Sequence, residues 1–227
     1  MTIIYKILHG SRCYGTDNEN SDYDYKGIYL PHITDYLSMR GVIQVYDTTS
    51  DKMDSCIFSI DKFFKLMCRG NLNALEWLYA PDIVDMKRSG ELIRDNRDLF
   101  LSKKIYLSIK GYSISEWRKI TGTNHTIGAK RKALIKKYGY DTKSATNGIR
   151  IMQEGIEILT DHKITFPRVN STALKEIRSG DLSLEEVEAI YKLTEIQLDL
   201  AYEKSTLPEE VDVEKIDDLL INIISNY

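Results

Sequence analysis

Three cysteines in 227 residues, at positions 13, 56 and 68, are odd in number and show no zinc-type spacing, so neither a disulfide framework nor a structural zinc site is expected. The four histidines (His9, His32, His125, His162) are equally scattered, and none has a ligand's spacing to another. No apolar run approaches the roughly 18 residues that a membrane span needs. The first ten residues turn polar too quickly for a signal peptide. No linker is rich in glycine and serine, and no internal repeat or low-complexity segment interrupts the chain. Charge of one sign is lacking too: 31 basic against 34 acidic residues leave a net charge of −3, too little imbalance for a strongly electrostatic nucleic-acid binder. These absences describe a cytoplasmic chain with length enough for one large domain or two small ones.

What is present concentrates in residues 9–30, HGSRCYGTDNENSDYDYKGIYL. Gly10 and Ser11 follow an apolar run at residues 3–8, and Asp22 and Asp24 follow eleven residues later in a segment rich in Tyr and Ile. That composition predicts a strand, and residues at i and i+2 of a strand share a face. Two carboxylates held that close repel each other unless a divalent cation lies between them. A Gly-Ser turn leaves backbone amides and a hydroxyl to bond phosphate. A phosphate cradle beside a carboxylate-bound metal equips a protein for phosphoryl or nucleotidyl transfer. A calcium loop over residues 17–28 fails, because its sixth position is Asp22 where glycine is required and its twelfth is Ile28 where glutamate is required.

Further strands are expected at residues 42–47 and 53–60, separated by a turn at Thr48, Thr49, Ser50 and Asp51. Asp61 is expected to cap a helix that ends at Gly70, with a short helix at residues 73–79 stopped by Pro81. From about residue 90 the pattern is helical: 102–120, a basic stretch at 127–138, a helix opened by Asp141 and running to about 161, one opened by a Ser183 capping box and running to 204, and a last one at 213–226. The fold class expected is α+β, a small mixed β-sheet core over residues 1–85 and a predominantly helical region over 86–227.

Asp54 is the expected third carboxylate, since it opens a strand suited to lie beside that of Asp22 and Asp24; Asp47, Asp51 and Glu76 compete for the role. Arg12 is expected at phosphate or in a surface salt bridge. Lys143 and Arg150, seven apart, share a helix face and form either a clamp on triphosphate or acceptor, or a solvated basic face. Lys130, Arg131, Lys132, Lys136 and Lys137 could steer an RNA backbone or simply face solvent. His9 is read as a packed structural histidine beside the turn.

The Gly10-Ser11 turn, the spacer and the Asp22-x-Asp24 strand resemble the nucleotidyltransferase superfamily that includes DNA polymerase β, kanamycin nucleotidyltransferase and the CCA-adding enzymes. The stretches SIDKFFKLMCRGNLNALEWLY and YGYDTKSATNGIRIMQEGIEIL are similar to those of predicted nucleotidyltransferases found beside RNA ligases and polynucleotide kinases in RNA-repair operons and phages. Those relatives show a KGNPN-like segment where this chain has residues 69–73, and often a histidine near Asn147. The resemblance implies a small nucleotidyltransferase core, two Mg²⁺ or Mn²⁺ ions on Asp22, Asp24 and Asp54, and an NTP substrate held at Gly10, Ser11 and Arg12 with Lys143 and Arg150. It implies RNA as acceptor, with a protein or small molecule as rival. The other classes open at this point are a catalytically silent nucleotide- or RNA-binding module and a toxin-like transferase that disables a protein or tRNA.

Overall fold

In the computed structural model, which describes residues 1–50, 52–121 and 128–226, the chain runs β1 (Thr2–His9), α1 (Gly10–Tyr14), β2 (Tyr23–Leu30), α2 (Ile33–Leu37), β3 (Val45–Thr49), β4 (Met53–Ser59), α3 (Ile60–Cys68), α4 (Leu72–Leu75), β5 (Ile83–Met86) and α5 (Arg88–Asp95). It continues through α6 (Ile105–Ile120), α7 (Ala129–Tyr138), α8 (Thr142–Asp161), α9 (Ser171–Ser179), α10 (Leu184–Lys204) and α11 (Val213–Ser225). A mixed sheet followed by a run of helices is the α+β arrangement that the sequence predicts. Asp51, His125 and Ile127 lie outside the described residues, as does the side chain of Lys130.

The chain divides into two compact units: residues 1–102 with 166–168 and 208–227, and residues 103–165 with 169–207. The first holds the five-stranded sheet, in the order β3-β4-β2-β1-β5. Only β2 and β4 run parallel; the other pairs are antiparallel. β2 is central, and its last four residues, Gly27 to Leu30, are buried. Tyr5, fully buried on β1, donates its hydroxyl to the Trp77 carbonyl at 2.8 Å, and Trp77 stacks between Phe58 and Phe63. That stack ties α3 and the Glu76–Leu78 turn to the sheet. α11 returns from the end of the chain to pack with α3 and α5.

Several boundaries differ from the sequence reading. The third strand starts at Val45 and runs through Thr49, so Thr48 and Thr49 pair with Ser55 and Asp54 and the turn comes later; β-branched threonines suit a pleated surface. Ser59, not Asp61, caps α3, accepting a hydrogen bond from the Lys62 amide, and Asp61 falls in the first turn. α1, α2, β5, α5 and α9 are elements the reading did not place. The residue 85/86 boundary falls inside β5, and α5 belongs with the sheet in the first unit.

In the second unit α8 is the axis, buried along most of its length and packed by α6, α9 and α10. Asp141 caps it by accepting from the amides of Lys143 and Ser144, and Ser183 opens α10 with a full capping box.

Candidate active site

The sheet's register assembles the acids. Asp24 lies opposite His9 across the antiparallel β1–β2 pair and opposite Asp54 across the parallel β2–β4 pair. Residues opposite one another in a ladder project to the same face, so the two carboxylates are neighbours on one face. Asp22 stands one residue before β2 and is exposed.

Gly10 follows His9 at the end of β1, with φ of 68°. A Cβ built there would fall 2.0 Å from Asp24 Oδ2. Only glycine gives the chain both the left-handed turn and the space for the carboxylate. Ser11 comes next, and among the described residues its hydroxyl makes no hydrogen bond. No side chain caps the first turn of α1, so its amides lack a protein partner from a capping residue.

Burial raises the Asp24 carboxyl above its ordinary value; the charges of Asp54 and Asp22 add to the rise, and Lys26 and His9 partly oppose it. Oδ1 of Asp54 is buried without a hydrogen-bond partner. An orphaned carboxylate oxygen beside a second, destabilised carboxylate is a donor set short of positive charge, and a divalent cation fits it. Among the described residues no three His, Cys, Asp or Glu side chains close up into a metal-binding group. Asp24 and Asp54 therefore form the core of the candidate site, with exposed Asp22 near enough for its charge to raise Asp24.

The competing acids have other employment. Asp47 is exposed on β3 opposite Cys56, whose thiol burial and the Asp47 hydrogen bond push up to about 12. Glu76 is fully buried. Its Oε2 accepts the Tyr14 hydroxyl at 2.7 Å and lies 3.1 Å from His9 Nε2, a close contact without hydrogen-bond alignment. His9 precedes α1 and Tyr14 ends it, so one carboxylate grips both ends of the Gly10-Ser11 turn. The sequence reading did not contain this network. Its only signal was a glutamate within the apolar stretch LNALEWL.

Arg12 is committed to the loop that joins the turn to the acids. It donates to the Ser21 carbonyl at 2.9 Å, lies 3.5 Å from Asp17 and stacks its guanidinium 4.0 Å from the Tyr23 ring centroid. Of its two expected places, the structure shows the salt bridge. Lys143 and Arg150 belong to α8 in the second unit. Lys143 is exposed, whereas Arg150 is buried and donates to the buried Glu154 at 2.7 Å. Two residues seven apart thus sit in opposite surroundings, and Arg150 is no part of a solvated face. On α7, Lys132, Lys136 and Lys137 are exposed, while Arg131 is bound to Asp141 at 3.2 Å and to the Ser144 hydroxyl.

Among relatives, the chain is 30% identical over 112 residues to an uncharacterized 38.9 kDa protein of the nrdC-mobD intergenic region of Enterobacteria phage T4, covering 44% of this chain and 33% of that protein. It is 35% identical over 85 residues to the uncharacterized protein YcgL of Bacillus subtilis (strain 168), covering 36% and 32%. These matches span about a third of each relative. Among solved structures, a nucleotidyltransferase-like protein from Exiguobacterium sibiricum 255-15 aligns over all of this chain and 75% of its own, with 10% identity and a TM-score of 0.31. A polymerase β-like nucleotidyltransferase family model matches residues 1–222, from the first strand to the last helix. The chain belongs to the RNA repair pathway DNA polymerase β family, RlaP.

Proposed function

We propose that the protein is a metal-dependent nucleotidyltransferase that moves a nucleoside monophosphate from an NTP to an acceptor hydroxyl, with RNA as the acceptor. The observation that carries this reading is the Asp24–Asp54 pair, side by side on parallel strands with Asp24 pressed against the Gly10 backbone. Asp24, Asp54 and Asp22 would hold two Mg²⁺ or Mn²⁺ ions. When bound, such ions neutralise the triphosphate and lower the pKa of the acceptor hydroxyl. Ser11 and the first amides of α1 would bond the β- and γ-phosphates. The acceptor hydroxyl would lose its proton to solvent as its oxygen bonds the α-phosphorus, in line with the bond to the oxygen bridging to the β-phosphate, which breaks and leaves with pyrophosphate.

A silent binding module is the weaker reading. Holding Asp24 charged beside Asp54 costs stability, and a protein that needed no cation would gain by losing either acid. RNA is supported by the family's description and by the exposed lysines of α7, Lys132 and Lys136, which lie one turn apart.

Incubation with each α-labelled NTP, Mn²⁺ or Mg²⁺ and total RNA tests the proposal. Label in RNA that depends on Asp24 is the expected result. Label on protein alone would move the acceptor, and no label in any species would remove the activity.

A further inference from the structure

The sheet face that carries Asp24 and Asp54 continues past them, because residues two apart on a strand share a face. One row further on, at about 7 Å, the register aligns Ile7, Lys26, Cys56 and Asp47; the next row holds Tyr5, Ile28, Phe58 and Val45. The β1 side of this face is closed, with His9, Ile7 and Tyr5 buried. The β4 side is open: Asp54, Cys56 and Phe58 are half-buried, and Asp47 and Thr49 are exposed. An open strip thus leads from the two acids over Cys56 to Phe58.

Two lysines border the strip. Lys26 is half-buried on β2, and its positive charge opposes the rise in pKa of both the Asp24 carboxyl and the Cys56 thiol. Lys62, half-buried in the first turn of α3, holds its ammonium 4.7 Å from the Phe58 ring centroid and acts on Cys56 in the same sense. Two ammonium groups from different elements therefore flank one thiol. The nearby acids are engaged elsewhere: Asp61 accepts from Gln44 at 3.0 Å and pairs with Lys65, and Asp47 bonds the Cys56 thiol. Among the described residues neither ammonium lies within ion-pair distance of a carboxylate. With the proposed divalent cations bound, the carboxylates of Asp22, Asp24, Asp54 and Asp47 are balanced, and the charge of the lysines is left for an anionic ligand.

We infer that Lys26 and Lys62 bind the phosphodiester next to the acceptor's attacking hydroxyl, so that the RNA acceptor runs along the open β4 side of the sheet. The inference rests on the nucleotidyl-transfer reading. In-line displacement sets the attacking oxygen across the α-phosphorus from the departing pyrophosphate. The Gly10-Ser11 turn, proposed to hold the β- and γ-phosphates, follows β1, so the acceptor approaches from the opposite side, over Asp54 and β4. That is the side on which the strip is open and the two lysines border it. A backbone phosphate is gripped by charge and carries no base identity, so this contact is blind to sequence.

A short RNA whose last linkage is either a phosphodiester or an uncharged methylphosphonate reads the contact, by fluorescence anisotropy with Mn²⁺ and a non-hydrolysable NTP. Wild type should bind the phosphodiester form roughly tenfold more tightly, the size of one charge-assisted bond. Lys62→Met keeps the apolar stem over Phe58 and should lose that preference, with the salt slope of RNA binding reduced by about one. Its NTP-dependent Mn²⁺ binding should match wild type, since the charge of Lys62 acts on Cys56 and not on Asp24. Lys62→Arg should retain the preference, and Lys26→Met should lose it. Should one methionine variant fail to fold, the other carries the test from a different element. Equal binding of the two RNAs by wild type, or a preference that survives both methionine substitutions, would overturn the inference. So would a loss that falls on NTP affinity instead, because the lysines would then serve the triphosphate. Binding needs no turnover, so a wild type that shows the preference yet labels no RNA would overturn the transfer reading and leave the phosphate site standing.

Discussion

Asp24 rests against Gly10 so closely that a methyl group on the glycine would meet its Oδ2 at 2.0 Å. The glycine that shapes the turn after β1 is thus also the floor on which the carboxylate lies. Gly10→Ala must displace Asp24 and force a residue with a Cβ into φ of 68°. The expected cost is roughly 1–3 kcal/mol of stability from backbone strain, measured by urea denaturation, with nucleotidyl transfer lost in the folded fraction.

Asp24→Asn separates structure from chemistry. A carboxyl raised above its ordinary 3.8 in the folded protein opposes folding once it ionises. The penalty is absent below the unfolded value of about 3.8 and complete above the folded value. In metal-free buffer the variant should melt higher than wild type at neutral pH, and the gain should shrink to nothing as pH falls toward the ordinary carboxylate range. Transfer should be abolished throughout. A variant that melts at the wild-type temperature at every pH would show that the pair carries no electrostatic strain.

Tyr14→Phe removes the hydroxyl that Glu76 accepts and adds nothing in its place. A typical hydrogen bond contributes about 0.5–1.5 kcal/mol net. Chemical denaturation should show a loss of that size, and Tyr14→Phe should also raise the apparent KM for NTP, since α1 loses its hydrogen bond to Glu76.

Arg150 and Lys143 should part company on substitution. Arg150→Ala breaks the buried ion pair with Glu154 and should cost about 3–5 kcal/mol, whereas Lys143→Ala should stay within about 0.5 kcal/mol. If Lys143 touches triphosphate or acceptor, its alanine variant keeps the melt and loses affinity for one of them; unchanged affinities leave it as a solvated lysine.

The sequence disclosed what is local. Residues 3–8 and 23–30 read as strands because their apolar and aromatic content is dense, and Asp141 and Ser183 read as caps because a cap needs only its own first turn. β5 was missed because it is four residues long and largely exposed, with Ile83 and Val84 facing solvent at the sheet edge. The strand face shared by Asp24 and Asp54 depends on a parallel pairing that no short-range pattern states. The Glu76 network joins residues far apart in the chain, beside the point where Trp77 packs against the sheet. The sequence left Arg12 open between phosphate and a salt bridge; the contacts to Asp17, Ser21 and Tyr23 come from the loop's path, which the sequence does not state.

The central claim is that Asp24 and Asp54 together hold a divalent cation that carries the nucleotide. Titration of Mn²⁺ with a non-hydrolysable NTP, followed by electron paramagnetic resonance, tests it on wild type and on Asp54→Asn. The account predicts NTP-dependent Mn²⁺ binding in wild type and at least a tenfold weakening in Asp54→Asn, with both proteins folded. Equal Mn²⁺ binding by the two proteins would contradict it.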